Sequence, residues 1–560
     1  TGSVSFLENS GFAIGAVGST NGVTATTLTL SSTGTVTQSQ ALAVTNLELL
    51  GTNGVYTLTN TGNAITTLAG NTGTVSFLEN SGFDIGTVNT VGLTASTSVT
   101  LNSTGSVTQS NLISTPSLLL LGTNGAYTLT NTSNAITTLA ANTGSVSFLE
   151  NSGFAIGAVG ATSGLTTSGA ITLSSTGGIS IGANISSGSS QSYTGPITLV
   201  ADVTLSSSDG DISFIGSTST INSTYSAGST PSVTFYLGTN QTGSNFTYTG
   251  VKTSGSPSTC DMCSYAGFND NVQSVSVSAG AVLTVYQDGV GSNVGWGSQT
   301  VNNSAGSSAL LANLTLGTSG FTITGGANVP AYKALTISSG SGSIIFDAAI
   351  GSATNGTLGA LTINSSGSTT FSSTVAASSL TTNIGGSTLI SGNVTTSGNQ
   401  AYGDAVTITG SAVTLNSSSS NGTVSFTSTV NSTATAGNPL TVSAGSGNVT
   451  FTGVVGGATD GALGALTVNT TGTTTFSAAV TAASVTTDAG GTSAINGGSI
   501  TTTGAQTYND AVTLGAATTL NTTNANIAFA STLNSTTSAR ALTIGTGSGT
   551  VTFTGAVGGS

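Results

Sequence analysis

Long repeats constrain this chain more than any other feature of its sequence. The stretch TGSVSFLENSGFAIGAVG at Thr1–Gly18 returns unchanged at Thr143–Gly160, and the closely similar TGTVSFLENSGFDIGTV occupies Thr72–Val88. The copies start at residues 1, 72 and 143, an interval of 71 residues, and a second block that begins with LGTNG at Leu50 returns after the same interval at Leu121. A fixed period of this kind is typical of proteins in which one small unit stacks upon the next.

A different family of repeats fills the C-terminal part. SIIFDAAIG around Phe346, NVTFTGVVG around Phe451 and TVTFTGAVG around Phe553 follow one another after 105 and then 102 residues. The sequence therefore predicts three regions: an array with the 71-residue repeat at 1–188, a less regular, aromatic-rich β segment at 189–333, and an array with repeats of about 105 residues at 334–560.

Inside the repeats, hydrophobic residues alternate with Ser and Thr, as in Thr27–Leu30. Alternation with a period of two predicts a strand with one buried face, and glycine-containing turn pairs end each short run. Val4, Val36, Val55 and Val75 open comparable strands at intervals of 32, 19 and 20 residues. Coils of about twenty residues favour a parallel β-helix over a sandwich, a barrel or a propeller. We therefore predict an all-β, rod-like chain that forms a right-handed parallel β-helix, or β-solenoid.

Stacked coils would bring equivalent side chains together. We expect Phe6, Leu28 and Tyr56 to stack on like residues in the coils above and below. The repeats also predict an internal amide ladder, provided that it occupies an inward bend, at Asn9, Asn80 and Asn151.

These patterns resemble a known group of proteins. GxITL and GxVTF strands, QxYxDAVTL segments and turns rich in Ser, Thr, Asn and Gly are similar to the repeats of the giant filamentous-haemagglutinin-type adhesins and related autotransporter-like bacterial proteins. The resemblance covers both arrays. It implies a β-helix shaft at the cell surface, with host or neighbouring-cell glycans or proteins as partners.

Composition excludes several classes of function. Only 3% of the residues are charged, and the three basic residues cannot form the clustered footprint that nucleic acids require. Because the chain contains no His, catalysis by Ser-His-Asp or Cys-His groups is impossible within it. No apolar run is long enough to span a membrane. We expect a secreted protein whose export signal lies upstream or has been removed, with no catalytic residue, cofactor or metal site.

The acidic residues leave two interpretations open. Glu8, Glu79 and Glu150 recur in the FLENSGF motif, where they could accept backbone N–H bonds at a bend or form weak cation sites. Asp209 and Asp211 form the closest local pair of acids, which favours turn chemistry over a calcium or catalytic role.

The region 189–333 holds the remaining candidates. Cys260 and Cys263 are the only cysteines, and in a secreted protein we expect a local disulfide, with redox or metal chemistry as the alternative. Five aromatic residues either line a carbohydrate or partner site or fill a less regular stretch of the solenoid or a protruding loop: Tyr236, Tyr248, Tyr265, Phe268 and Trp296.

The sequence therefore favours a structural function, as an extracellular fibre or adhesin shaft without turnover. A second structural hypothesis is self-association into an extracellular filament, sheath or surface layer. A carbohydrate-active β-helix enzyme is a remote third, because its cleft would need clustered Asp, Arg or Lys and the chain has a single Arg. Irregular coil lengths argue against an ice-binding surface.

Overall fold

Two compact units make up the chain in the computed structural model. The described residues are 2–224, 332–352, 357–433, 437–457 and 461–558, together with seven strands inside 225–331. The first unit comprises Thr1–Thr224 with Lys333–Ser560, and the second comprises Tyr225–Tyr332. The first unit is therefore built from two stretches that are not consecutive in the chain.

The first unit is a parallel β-solenoid, as the sequence predicts. It contains a 48-stranded sheet whose strands pair in parallel, and its coils, about 21 in number, recur about 21 residues apart. Among the described residues, the only helical element is a 3-10 turn at Ser418–Ser420. The all-β prediction is confirmed.

Most strands of the solenoid are short. The sheet runs from Ser3–Leu7 to Val551–Phe553, and most of its strands have two to six residues. The strands of eight residues or more are Val23–Ser31, Leu42–Leu50, Thr67–Leu78, Leu93–Asn102, Ile113–Leu129, Ala135–Leu149, Leu358–Ser365, Val375–Thr382, Leu463–Thr470 and Val480–Thr487.

The period-two pattern decides which side chains lie inside the solenoid. In Val23–Ser31, Leu28 and Leu30 are 1% and 2% exposed, whereas the threonine between them, Thr29, is partly exposed. Leu28 lies in register with Leu47 of the next coil, and Leu30 with Leu49. Burial of each such side chain contributes about 1.5–3 kcal/mol. The core is consequently a set of hydrophobic columns along the solenoid.

Hydrophobic residues stack on hydrophobic residues of the neighbouring coils, as predicted, although the partners are not always identical residues. Phe6 pairs with Leu30, and Tyr56 pairs with Val75. From residue 193 onward the rings themselves stack, with centroids 4.9–5.3 Å apart and planes within 15° of parallel. The three stacks are Tyr193–Phe214–Phe346–Phe371, Tyr402–Phe426–Phe451–Phe476 and Tyr508–Phe529–Phe553.

The prediction of an internal ladder at Asn9, Asn80 and Asn151 is wrong, because all three residues are exposed. In the second and third copies the preceding glutamate takes the inward position, and successive residues of an extended chain point to opposite sides. In the described ranges, the buried side-chain amides are instead those of Asn63, Asn134, Gln191, Gln400 and Gln506.

The second unit differs from the solenoid because its described strands pair antiparallel. One sheet has four strands in the order Asn245–Thr249, Ser232–Tyr236, Ser274–Val277 and Leu310–Asn313. The other has three strands in the order Gly297–Asn302, Ala281–Gln287 and Gly320–Gly325.

Candidate functional site

The second unit is inserted into one turn of the solenoid. Leu199 is the register partner of Ser223, and Val203 is the register partner of Leu335. In the earlier coil, residues 200–202 connect these two positions, whereas in the next coil the connection contains the whole second unit. The coils on either side of the insertion therefore pair with each other directly. We call the contact between them the junction.

Packing at the junction matches that of uninterrupted coils. The rings of Phe214 and Phe346 have centroids 5.1 Å apart and planes 3° from parallel. Ile212 lies in register with Ile344, and both are fully buried. The hydrophobic columns thus continue across residues that are far apart in sequence.

Four aspartates bond across the junction. Each accepts a backbone N–H of the facing coil at 2.7–3.0 Å, in the pairs Asp202 with Ala334, Asp209 with Ser341, Asp211 with Ser343 and Asp347 with Gly216. Asp209 also has a φ of 65°, a conformation that Asp tolerates in turns. These contacts support turn chemistry for Asp209 and Asp211. In the described part of the chain, no three His, Cys, Asp or Glu residues are grouped to hold a metal ion.

Asparagine makes the equivalent bond in several other coils. The side-chain oxygen accepts a backbone N–H of the next coil at 2.9 Å in the pairs Asn184 with Thr204, Asn393 with Thr414, Asn448 with Thr473 and Asn526 with Thr550. A carboxylate accepts a stronger hydrogen bond than an amide. At the junction, aspartate carboxylates thus make the bond that asparagine amides make in several other coils.

The predicted aromatic site is only partly described. Tyr248 is the register partner of Val233, and Tyr236 is the register partner of Asn245. Both tyrosines therefore belong to strands of the four-stranded sheet, Tyr236 to Ser232–Tyr236 and Tyr248 to Asn245–Thr249. The other predicted residues lie outside the described residues: Cys260, Cys263, Tyr265, Phe268 and Trp296. The disulfide stays a prediction.

The repeated glutamates hold bends, which confirms the structural interpretation. The Oε1 atom of each accepts the backbone N–H and the hydroxyl of the serine two residues later, in the pairs Glu8–Ser10, Glu79–Ser81 and Glu150–Ser152. Hydrogen bonds from Ser10 lower the pKa of Glu8. Each Oε1 atom thus has local donors, whereas Glu8 Oε2 and Glu150 Oε2 are buried without a hydrogen-bond partner among the described residues.

The Gln-x-Tyr part of the QxYxDAV motif forms a buried polar network. The hydroxyl of Tyr402 donates to Gln400 Oε1 at 2.9 Å, and Gln400 Nε2 donates to the Asn416 carbonyl at 3.0 Å. Burial raises the pKa of Tyr402 well above its ordinary range. The same pairing occurs in Gln191–Tyr193 and Gln506–Tyr508. This network satisfies polar groups of the core and offers no open reactive group.

The aspartate of the same motif is buried as well. Asp404 is 1% exposed, and its carboxylate accepts hydrogen bonds from Gly386 N at 2.9 Å and Thr388 Oγ1 at 3.2 Å. Burial raises the pKa of Asp404, against the opposing effect of these hydrogen bonds. Asp510 repeats the arrangement with a raised pKa, again chiefly from burial.

Glu48 is a buried carboxylate with no basic partner among the described residues. It is 1% exposed and accepts hydrogen bonds from Thr29 Oγ1 at 2.9 Å, Asn89 Nδ2 at 2.8 Å and Thr90 N at 2.7 Å. Burial acts to raise the pKa of Glu48, but the hydrogen bonds outweigh it and the pKa is lowered. Glu48 therefore fastens the loop at 87–90 to the coil. Sequence reasoning missed it because this glutamate lies outside the repeated motif.

A groove of about 900 Å³ crosses several coils of the solenoid between residues 94 and 198. Apart from Phe154, its lining consists of small, hydroxyl-bearing and aliphatic residues, including Ser96, Pro116, Thr137 and Thr198. No ionisable residue lines it. The groove can contact a ligand, but its own side chains supply no general acid or base.

Comparisons with known proteins find no relative: no family model, no curated protein and no solved structure matches the chain. The similarity to adhesin repeats therefore remains a similarity of sequence pattern. Within the described residues, no helix has the length and hydrophobicity needed to cross a membrane.

Proposed function

We propose that this chain is a structural protein of the cell exterior, in which the solenoid is a shaft and the inserted second unit contacts a target on another surface. The register of Val203 with Leu335 carries this proposal. Because the solenoid closes its own hydrogen bonds across the junction, residues 225–332 are not needed to complete it. A segment that the scaffold does not require is free to serve recognition.

The pairing of the coils suits a shaft. Parallel backbone hydrogen bonds join each coil to the next, and buried columns such as Leu28–Leu47 run through the same coils. Load along such an array is shared by many small equivalent contacts. The three basic residues also leave few sites for trypsin-like proteases, which suits exposure outside a cell.

The proposal includes no chemical turnover. Catalytic acids and bases work from clefts in which they reach a substrate. Here Asp404 is buried and engaged in hydrogen bonds. Glu48 lines a groove of about 580 Å³, but it is 1% exposed and its carboxylate is already hydrogen-bonded to Thr90. The groove between residues 94 and 198 contains no ionisable group. The resemblance to adhesins directs the proposal to glycans or proteins of a host or neighbouring cell as the target.

Excision of the second unit tests the proposal. In the variant, residues 224–334 are replaced by Val-Ala-Asp, the sequence that makes the same connection at 200–202 in the preceding coil. We expect the variant to keep the circular dichroism and the thermal unfolding of a β-solenoid. Beads coated with it should lose adherence to cells that bind beads carrying the full chain.

A control variant tests whether a substitution in the solenoid alone changes adherence. Beads coated with a full-length Thr381→Ser variant, which changes one exposed hydroxyl residue of the solenoid, should adhere like the original protein. Adherence that is unchanged after the excision would contradict the assignment of recognition to the second unit.

A further inference from the structure

The junction has the contacts of a complete protein interface. Ile221 forms a parallel bridge with Ile350, and both side chains are 1% exposed. Phe346 packs between Phe214 of the preceding stretch and Phe371 of its own, with centroids 5.1 and 5.2 Å away. Burial of apolar surface is the dominant favourable contribution to association between protein surfaces.

Polar contacts fix the register of the same interface. Val203 N donates to the Ala334 carbonyl at 3.1 Å, and Ile212 N donates to the Ser343 carbonyl at 2.9 Å. The four aspartate bonds described above lie beside these backbone bonds. A shift of the strand register by one residue would break both the backbone hydrogen bonds and the aspartate hydrogen bonds, and it would turn the buried side chains outward. The two stretches therefore recognise each other in one alignment.

We propose that the junction is a docking interface whose partner is the other stretch of the same chain, so that a chain cut within 225–332 remains one solenoid. This inference goes beyond the proposed function, because it holds whatever the second unit binds. It also has a consequence for proteolysis. Two of the three basic residues, Lys252 and Lys333, lie inside the second unit or at its border. Cleavage there would leave the distal part of the shaft in place.

Two controlled cuts test the docking interface. Recognition sequences for a site-specific protease, flanked by Gly and Ser, are inserted after Thr224 and before Lys333 in the full chain, so that the paired strands Ser232–Tyr236 and Ser274–Val277 cannot hold the two solenoid stretches together. After cleavage we expect three fragments on a denaturing gel, and we expect the two solenoid fragments to elute as one species in native size-exclusion chromatography. Solenoid fragments that elute separately in native buffer would overturn the proposal.

A pair of phenylalanine variants makes the test specific to the junction. Phe346→Ala removes a ring that stacks on the preceding stretch, and we expect association of the cut fragments to weaken at least a hundredfold. Phe451→Ala removes an equally buried ring, between Phe426 and Phe476, that lies wholly within one fragment. The Phe451→Ala fragments should stay together. Equal dissociation of both variants would show that general destabilisation, and not docking at the junction, governs the result.

Discussion

The hydroxyl of Tyr402 donates a hydrogen bond of 2.9 Å to Gln400 Oε1 inside the solenoid, and both residues are fully buried. Tyr402→Phe would leave that oxygen without its donor in a dry core. We expect the free energy of unfolding to fall by about 1–3 kcal/mol. Chemical denaturation monitored by circular dichroism measures the difference. Thr381→Ser, on the exposed side of a neighbouring strand, should change stability by far less.

The raised pKa of Asp404 predicts that the stability of the chain depends on pH. Because burial raises its pKa above the ordinary value of 3.8, the folded chain binds the proton more tightly than the unfolded chain does. The resulting stabilisation is complete below the pKa that Asp404 has in the unfolded chain. It is lost as the pH rises through the pKa that Asp404 has in the folded chain. Asp404→Asn keeps an oxygen for the Gly386 N–H and carries no charge. It should therefore be more stable than the original chain at pH 7, with a smaller advantage at pH 4.

Denaturation midpoints of the two proteins at both pH values test this prediction. An Asp404→Asn advantage that grows as the pH falls would contradict it. Asp510 offers a second copy of the same environment, and Asp510→Asn should show the same trend.

The lowered pKa of Glu48 predicts the opposite dependence of stability on pH. Its hydrogen bonds lower its pKa below the ordinary value of 4.5, so its stabilisation is present above that value and is lost as the pH falls through the folded pKa. Glu48→Gln replaces one acceptor oxygen with a donor, which faces the donors of Thr29 and Asn89 if it takes the place of Oε2, or that of Thr90 if it takes the place of Oε1. We expect a loss of about 1–3 kcal/mol at pH 7. Urea denaturation measures this loss, and equal losses at pH 7 and pH 3 would contradict the lowered pKa of Glu48.

Gly122 occupies a position at which we expect any larger residue to be destabilising. Its φ is +114°, and a Cβ there would lie 2.0 Å from the carbonyl oxygen of Ser103 on the neighbouring coil. Gly122→Ala should therefore cost about 2–5 kcal/mol. Gly160 also has a positive φ, of +60°, but a Cβ there meets no atom within 4 Å. Gly160→Ala should cost only about 1 kcal/mol, and thermal melts of equal midpoint for the two variants would refute the crowding argument.

Much of the solenoid could be predicted because its signals are local. Alternation in Val23–Ser31 and its equivalents predicts strands, and the spacing of the turns predicts coils of about twenty residues. The inward bend was harder to predict. FLENSGF contains both Glu79 and Asn80, and sequence alone does not say which of the two points inward.

The junction could not be predicted from local signals, because its partners are distant in sequence. One signal was available: Gln191 and Tyr193 repeat the spacing of Gln400 and Tyr402, so a coil of the C-terminal type precedes the insertion. The register of Tyr236 and Tyr248 likewise depends on strand pairing, which composition does not reveal.

Disulfide trapping across the insertion tests the central claim most directly. Thr204 and Thr336 are register partners at the junction, and Ser338 lies two positions further along. In a chain whose own cysteines are replaced by Ser, the pair Thr204→Cys and Thr336→Cys should form a disulfide readily, since adjacent strands lie about 4.8 Å apart. The offset pair Thr204→Cys and Ser338→Cys should not. Peptide mapping that finds no bond between 204 and 336, or a bond equally between 204 and 338, would contradict a solenoid that continues in register through the insertion.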